Sequence, residues 1–588
     1  MTRCTLLVSA VFLSALTAPG CDSDSTTGAG GGGAAAPLGG AGGAGGGTAP
    51  ANQPPVASFT STPPSGAAPL AVTLDASDSS DADGEIVSYA WTIDGDSADG
   101  VEVSRTFDAV GCHEVELTVT DDDGDSDAAT ATVVVSAGSP TGPGEVTVDV
   151  APIASAVLPR DIATDEGTAH FEGSVLSDGF VEVLAEVVDS EENVRATASV
   201  PLCGAAPVAF SLDVQVPSEL TAFEVRLSLV GASEPQPVFS VSDIVAGDIY
   251  VVQGQSNADS AQYSGNANEN QGPFVRTFGT HAYDQTTTPG DTSWRIAEGY
   301  SGLGPTIGQW PMRMAAGLAA AQETPIGIVN GADPGKPIGF FQRNDENIND
   351  PATNYGRLLT RMQNGGLTSS VRAFLWYQGE SDGADFQTHH DGFLALMDDW
   401  AADYPGVERI YVTQVRAGCG GNLIALQEVQ RKLGDDFDNV TLMSTTGLDA
   451  HDGCHYGYEG GYRELGDRYV ALLGRDLYGD DPAADVEPPN PASAQFAAGG
   501  SQIVVEMRNA ASVLTVDAGS NADFRLEGTA ATLSGATLLD GKLVLTVNGD
   551  GSAATGLSYL GHTGSGPWVA NENEIGLLEF YNLPIDPE

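Results

Sequence analysis

The chain has 588 residues. That is too long for one hydrophobic core, and about three to five domains are expected. Its 80 Asp and Glu outnumber 23 Lys and Arg, giving a formal net charge of −57, which argues against nucleic-acid binding, where Lys and Arg neutralise phosphates, and less strongly against docking on anionic membranes; such acidity suits a soluble surface.

In chain order, residues 1–20 read as a secretory signal, with Arg3 as the charged start and Leu6 to Leu16 as the apolar stretch. That stretch is too short for a permanent membrane helix. Cys21 follows Ala18-Pro-Gly and resembles a bacterial lipoprotein cleavage site, with Ala18 and Pro19 in place of the usual Leu and small residue. The location implied is extracytoplasmic, as a lipid-anchored surface protein or a secreted one. No later segment reads as transmembrane. Residues 21–52 are a Gly/Ala-rich linker that cannot bury enough surface to fold.

Residues 53–137 alternate apolar and polar side chains between turn clusters, the pattern of a small β-sandwich. Tyr89-Ala-Trp91, Asp94-Gly-Asp96, Gly111 and Leu117-Thr-Val-Thr-Asp-Asp-Asp-Gly124 resemble a polycystic-kidney-disease (PKD) domain. The resemblance implies a spacer or a weak polysaccharide contact. Asp81-Ala-Asp83 and Asp121-Asp-Asp123 have the carboxylates of a Ca²⁺ site; solvated turns are the preferred reading. Residues 138–144 form a second linker, and 145–243 alternate again as another β-sandwich.

From residue 244 to 478 strand-like runs alternate with helical ones. Strands are expected at 248–253, 325–330, 371–378, 409–415 and 440–444. Helices are expected at 307–322, 354–363, 386–403, 423–433 and 460–473. This order indicates a parallel-sheet α/β domain, whose ligands bind beyond the carboxyl ends of the strands. Residues 485–588 return to strand alternation, a C-terminal β-sandwich. Cys112, Cys203, Cys419 and Cys454 remain after Cys4 and Cys21 are set aside, in an oxidising compartment. A Cys419–Cys454 bond is expected, because both lie in loops after strands of one domain.

Three segments supply an acyl-transfer site. Ser256 follows an apolar run in a Gly-bounded turn and reads as the nucleophile, which needs a base. Six of the eight histidines are set aside: His113, His170 and His562 fall in sandwiches, His389 and His390 on a helix, and His281 lacks an acidic residue at a suitable spacing. His455 is the preferred base and His451 the fallback; Asp452 between them can orient the ring. Donors to an oxyanion are the Ser256 N–H, the Gly335 N–H and the Gln378 amide. No metal or other cofactor is expected.

Together, Gly254-Gln-Ser-Asn257, Trp376-Tyr-Gln-Gly-Glu380 and Asp452-Gly-Cys-His455 resemble the SGNH-hydrolase superfamily, and within it the sialate O-acetylesterase family and its acetylxylan-esterase relatives. The fold implied is a multidomain chain in which an α/β/α parallel-sheet hydrolase domain is flanked by β-sandwiches. The activity implied is removal of O-acetyl groups from carbohydrate by a Ser-His-Asp or Ser-His-Glu site. Glu380 is the alternative orienting acid to Asp452. The chain departs from the family at Pro334-Gly335-Lys336, where Gly-Gly-Thr is usual, and at Ala258, where Met is frequent. Other acyl groups, or a glycan-binding protein with a retired esterase fold, are the competing expectations.

Overall fold

The computed structural model describes residues 51–588 except 232–233, 262–264, 282, 284–289, 301, 420–422 and 510–511. The expected signal, Cys21 and nearly all of the Gly/Ala-rich linker lie outside the described residues.

Alternation builds the first sandwich. In the strand Gly111–Asp121, Val115, Leu117 and Val119 turn inward while Glu114 and Glu116 face solvent. Its five-stranded sheet and the three-stranded sheet of Thr60–Thr62, Leu70–Asp75 and Glu102–Phe107 share one core, with Val72 and Leu74 packed among Trp91, Leu117 and Val133. Trp91 is buried and donates its indole N–H to the Gly100 carbonyl at 2.8 Å. The Asp runs fold as turns: the Asp121 carboxylate accepts from the N–H groups of Gly124 and Asp125. Among the described residues, no three or more His, Cys, Asp or Glu side chains are grouped to hold a metal ion.

In the second strand-rich region, Glu182–Val188 lies between Val194–Pro201 and Phe223–Val230. Glu166–Val175 pairs with Val208–Pro217, and Phe171, Val183, Leu212 and Val225 fill a common core. A Cys112–Cys203 disulfide ties this region to the first sandwich.

The long strand β1, Gln236–Gly254, belongs both to the second region and to the parallel sheet. Its first half runs antiparallel to Phe223–Val230 and its second half runs parallel to two later strands. The expected boundary at 243/244 falls inside it, beside Asp243, whose φ of 59° kinks the chain. The parallel strands are β2 Val275–Phe278, β4 Ile326–Asn330, β5 Val371–Tyr377, β6 Arg409–Thr413 and β7 Val440–Met443. Their order is β2-β4-β1-β5-β6-β7, and β3, Trp294–Ile296, pairs antiparallel to β2 at the edge. β2 and β3 have no counterpart among the strands expected from sequence. Because β1 has β4 on one side and β5 on the other, the winding reverses at its carboxyl end, where open parallel sheets hold ligands.

The helices are α1 Ser256–Asp259, α2 Gln309–Gln322, α3 Asn354–Asn364, α4 Phe386–Asp403, α5 Ile424–Asp436 and α6 Arg463–Tyr478. Alternate residues of the strands face opposite ways. Ile249, Val251, Phe374 and Trp376 pack with Leu358 of α3 and with Phe393 and Trp400 of α4. Tyr250, Val252, Leu375 and Tyr377 pack with Trp310 and Leu318 of α2 and with Leu465 and Tyr469 of α6. At the sheet's amino end Asp248 is fully enclosed, and its carboxylate accepts from Arg160, Arg372 and the Tyr478 hydroxyl at 2.6–3.1 Å. No helix among the described residues is long and apolar enough to cross a membrane.

The last region pairs Gln502–Met507 with Pro491–Ala497 and Lys542–Asn548, and Gly556–Tyr559 with Phe524–Glu527 and Phe580–Leu583. Ile503, Leu545, Phe524, Leu557 and Phe580 share its core.

Candidate active site

Strand β1 ends on Gly254, whose φ of 136° lies in the region that favours glycine. A Cβ there would stand 2.2 Å from the Tyr377 carbonyl oxygen. Gln255 is extended, and Ser256 then opens the single turn α1. The strand-to-helix corner leaves Ser256 partly exposed between buried neighbours.

His455 comes from a turn 199 residues later, and its Nε2 lies 3.1 Å from Ser256 Oγ. Its Nδ1 lies 3.5 Å from Asp452 Oδ2. The other Asp452 oxygen accepts from the N–H groups of Cys454 at 2.9 Å and His455 at 2.8 Å. Those N–H groups hold the Asp452 carboxyl below the usual carboxylate range. An ionised Asp452 favours the proton on Nδ1, which leaves Nε2 to accept from the serine hydroxyl. The Asp452 side chain is 56 % exposed, so its field on the ring is screened.

Glu380 occupies a different place. It is buried, and Oε1 accepts from Asn257 Nδ2 at 2.8 Å while Oε2 has no hydrogen-bond partner. Burial pushes its carboxyl up, and the Asn257 bond does not offset the rise. Asn257 is the hub here. The same Nδ2 reaches the Cys454 carbonyl at 3.1 Å, Oδ1 accepts from the Tyr462 hydroxyl at 2.8 Å, and the Asn257 carbonyl accepts from Trp310 at 2.9 Å. Asn257 stands in the Gly254-Gln-Ser-Asn257 motif, but its spacing announces no hub, and Tyr462 lies in no motif.

The expected oxyanion donors are placed unequally. The Asp333 N–H donates to the Gly254 carbonyl at 2.9 Å, which brings the loop carrying Gly335 against the turn that carries Ser256. Gly335 is exposed, with a φ of 71° and open space around it. Gln378 is buried, and its Nε2 donates to Asp382 at 2.9 Å and to the Lys336 carbonyl at 3.3 Å. Both amide hydrogens are therefore engaged. Asp382 also accepts from the Ile338 N–H and from His389 Nδ1.

The other histidines sort by their partners. The Nε2 of His451 faces the Arg416 guanidinium, and burial followed by that charge lowers its pKa. The fallback base is thus turned toward Arg416. His281, set aside for want of an acidic neighbour in sequence, has one in space: Asp259 at 3.3 Å. A Cys419–Cys454 disulfide pins the turn that carries His455, the pairing expected from the two loops.

Residues 246–473 match the family described as carbohydrate esterase, sialic acid-specific acetylesterase, and residues 52–137 match the PKD domain. The chain thus carries a PKD domain and a carbohydrate esterase domain of that family. Such esterases hydrolyse carboxylic esters. A carbohydrate acetylesterase from Xanthomonas citri superposes with a TM-score of 0.53 at 17% identity, over 74% of this chain and 99% of that one. This likeness is one of fold. A protein from Arabidopsis thaliana is 20% identical over 38% of this chain and 98% of its own, with a TM-score of 0.30. The PKD1 domain of Vibrio anguillarum Epp is 37% identical over 14% of this chain and 96% of its own, with a TM-score of 0.13. No curated protein matches the chain.

Proposed function

We propose that the protein is a carbohydrate O-acetylesterase of SGNH type, with the α/β/α hydrolase domain at 244–478 between the sandwiches at 145–243 and 485–588. The observation that carries the reading is the 3.1 Å approach of His455 Nε2 to Ser256 Oγ at the carboxyl end of β1. Ser256 attacks the acetyl carbonyl as His455 takes its proton, and the imidazolium then protonates the departing sugar oxygen. Water, deprotonated by the same ring, cleaves the acetyl-enzyme to acetate and restores Ser256. Asp452 orients the ring, and Glu380 supports the site from below through Asn257. The Ser256 and Gly335 N–H groups face the oxyanion; Gln378 joins them when its amide turns from the Lys336 carbonyl.

The signal-like start and Cys21 support export, as a lipid-anchored or a secreted protein, with the PKD domain as spacer or polysaccharide contact. Acetylated xylan and acetylated sialic acid are the first substrates to offer. Wild type is expected to release acetate from one of them, and Ser256→Ala to lose roughly 10⁴-fold or more in kcat. Undiminished release by Ser256→Ala would overturn the assignment.

A further inference from the structure

Arg416 lies three residues beyond β6 and is 4 % exposed. Its guanidinium makes four contacts. Nη1 donates to the carbonyls of Ala417 at 2.9 Å and Gly453 at 2.7 Å. Nη2 donates to the Thr563 carbonyl at 2.7 Å and meets His451 Nε2 at 2.5 Å. Gly453 follows Asp452 within the turn that presents His455. Thr563 belongs to the C-terminal sandwich, between the strands Gly556–Tyr559 and Val569–Asn571.

Enclosing a guanidinium costs several kcal/mol of desolvation even when it is well paired. An apolar side chain in its place would leave the carbonyls of Ala417, Gly453 and Thr563 without these donors, so the group is held for its hydrogen bonds. What a guanidinium supplies is a flat fork with fixed donor directions, which Lys lacks. Here the fork joins the His455 turn, the loop after β6 and the C-terminal sandwich. Glu579, also in the C-terminal region, adds a buried carboxyl whose field reaches Arg416.

We infer that Arg416 is a positioning residue, holding the Asp452–His455 turn in register with Ser256 by fastening it to the C-terminal sandwich. The catalytic part of this statement rests on the proposed esterase reading; the clamp itself does not. It makes the C-terminal sandwich part of the site's support, through a backbone carbonyl that no side-chain motif encodes.

The test uses the full chain and the variants Arg416→Lys and Arg416→Ala. Arg416→Lys keeps the charge and loses the fork, so it serves if Arg416→Ala does not fold. Hydrogen–deuterium exchange of residues 451–457 reads the clamp without reference to chemistry, and kcat and KM on nitrophenyl acetate read its catalytic consequence. The expected result is faster exchange confined to that turn, with kcat lower by about 10- to 100-fold, the scale of a misplacement near 1 Å, and KM unchanged. Unchanged exchange in a folded variant overturns the clamp. Faster exchange with wild-type kcat overturns the positioning role. Should the wild type be inactive while the variants exchange faster, the clamp stands and the esterase reading falls.

Discussion

The two ends of the parallel sheet each bury a carboxylate, and the two behave oppositely. At the amino end burial works against the charge on Asp248, yet Arg160 and Arg372 outweigh it and hold the carboxyl below its ordinary range. Both oxygens are satisfied. At the carboxyl end burial raises the Glu380 carboxyl, whose partner is a neutral amide and whose second oxygen is unbonded. Burial alone therefore does not mark a working residue. A saturated, charge-balanced cluster fastens strands together. The Glu380 carboxyl, held by one neutral amide, is not such a cluster.

The contrast can be broken most forcefully at Asp248. Asp248→Ala leaves two buried guanidinium groups without their shared acceptor and is expected to cost about 3–5 kcal/mol of stability by denaturant unfolding. A cost below about 1 kcal/mol would deny the cluster its fastening role.

At the opposite end the equivalent fastening is covalent. Replacing Cys419 and Cys454 together by Ser opens a bond that spans 35 residues and is expected to remove about 2–4 kcal/mol. Activity should fall more than in a variant lacking Cys112 and Cys203, whose bond lies outside the hydrolase region. Equal activity in the two double variants would contradict that placement.

A third carboxyl sharpens the rule. Burial pushes the Glu579 carboxyl up from 4.5 to about 7, against the pull of the Thr446 hydroxyl and Arg416. The folded chain keeps this proton where the unfolded chain has released it. Its stabilising contribution is therefore full below about pH 4.5, declines as pH rises to about 7, and is lost above, a difference of about 3 kcal/mol. Thermal midpoints should fall across that window in wild type and less so in Glu579→Gln. Parallel profiles would show that the carboxyl is ionised throughout.

The smallest effect is expected at Glu380. Glu380→Gln retains an oxygen for Asn257, so kcat should stay within about fivefold, since a neutral hydrogen bond is worth about 1 kcal/mol. A loss near 10⁴-fold, the size seen when a triad acid is neutralised, would transfer the orienting role from Asp452 to Glu380.

Much of the hydrolase region was legible because its core strands are continuous apolar runs, and because Gly-Gln-Ser after such a run forces a corner. The segments carrying Ser256, Gln378 and Asp452–His455 each follow an expected strand, which is what made them candidates for one site. Strand β2 escaped notice since it is four residues long and contains Arg276, a fully buried cation whose partners are the Asp243 carboxylate and backbone carbonyls. Arg416 escaped for a related cause. Its partners are mostly main-chain oxygens, and every residue owns one, so no pattern of side chains announces them. The engagement of Gln378 with Asp382 was hidden within one short motif, where spacing could not say which way an amide turns.

The Cys112–Cys203 bond bears on how the molecule carries mechanical load. Tension applied between the first sandwich and the carboxyl terminus crosses from residue 112 to residue 203 through sulfur. The 91-residue segment closed by that bond, including the linker 138–144, lies outside the line of force. Pulled in its oxidised form, the chain should reach full extension shorter by the length of that loop, and a reductant should restore it.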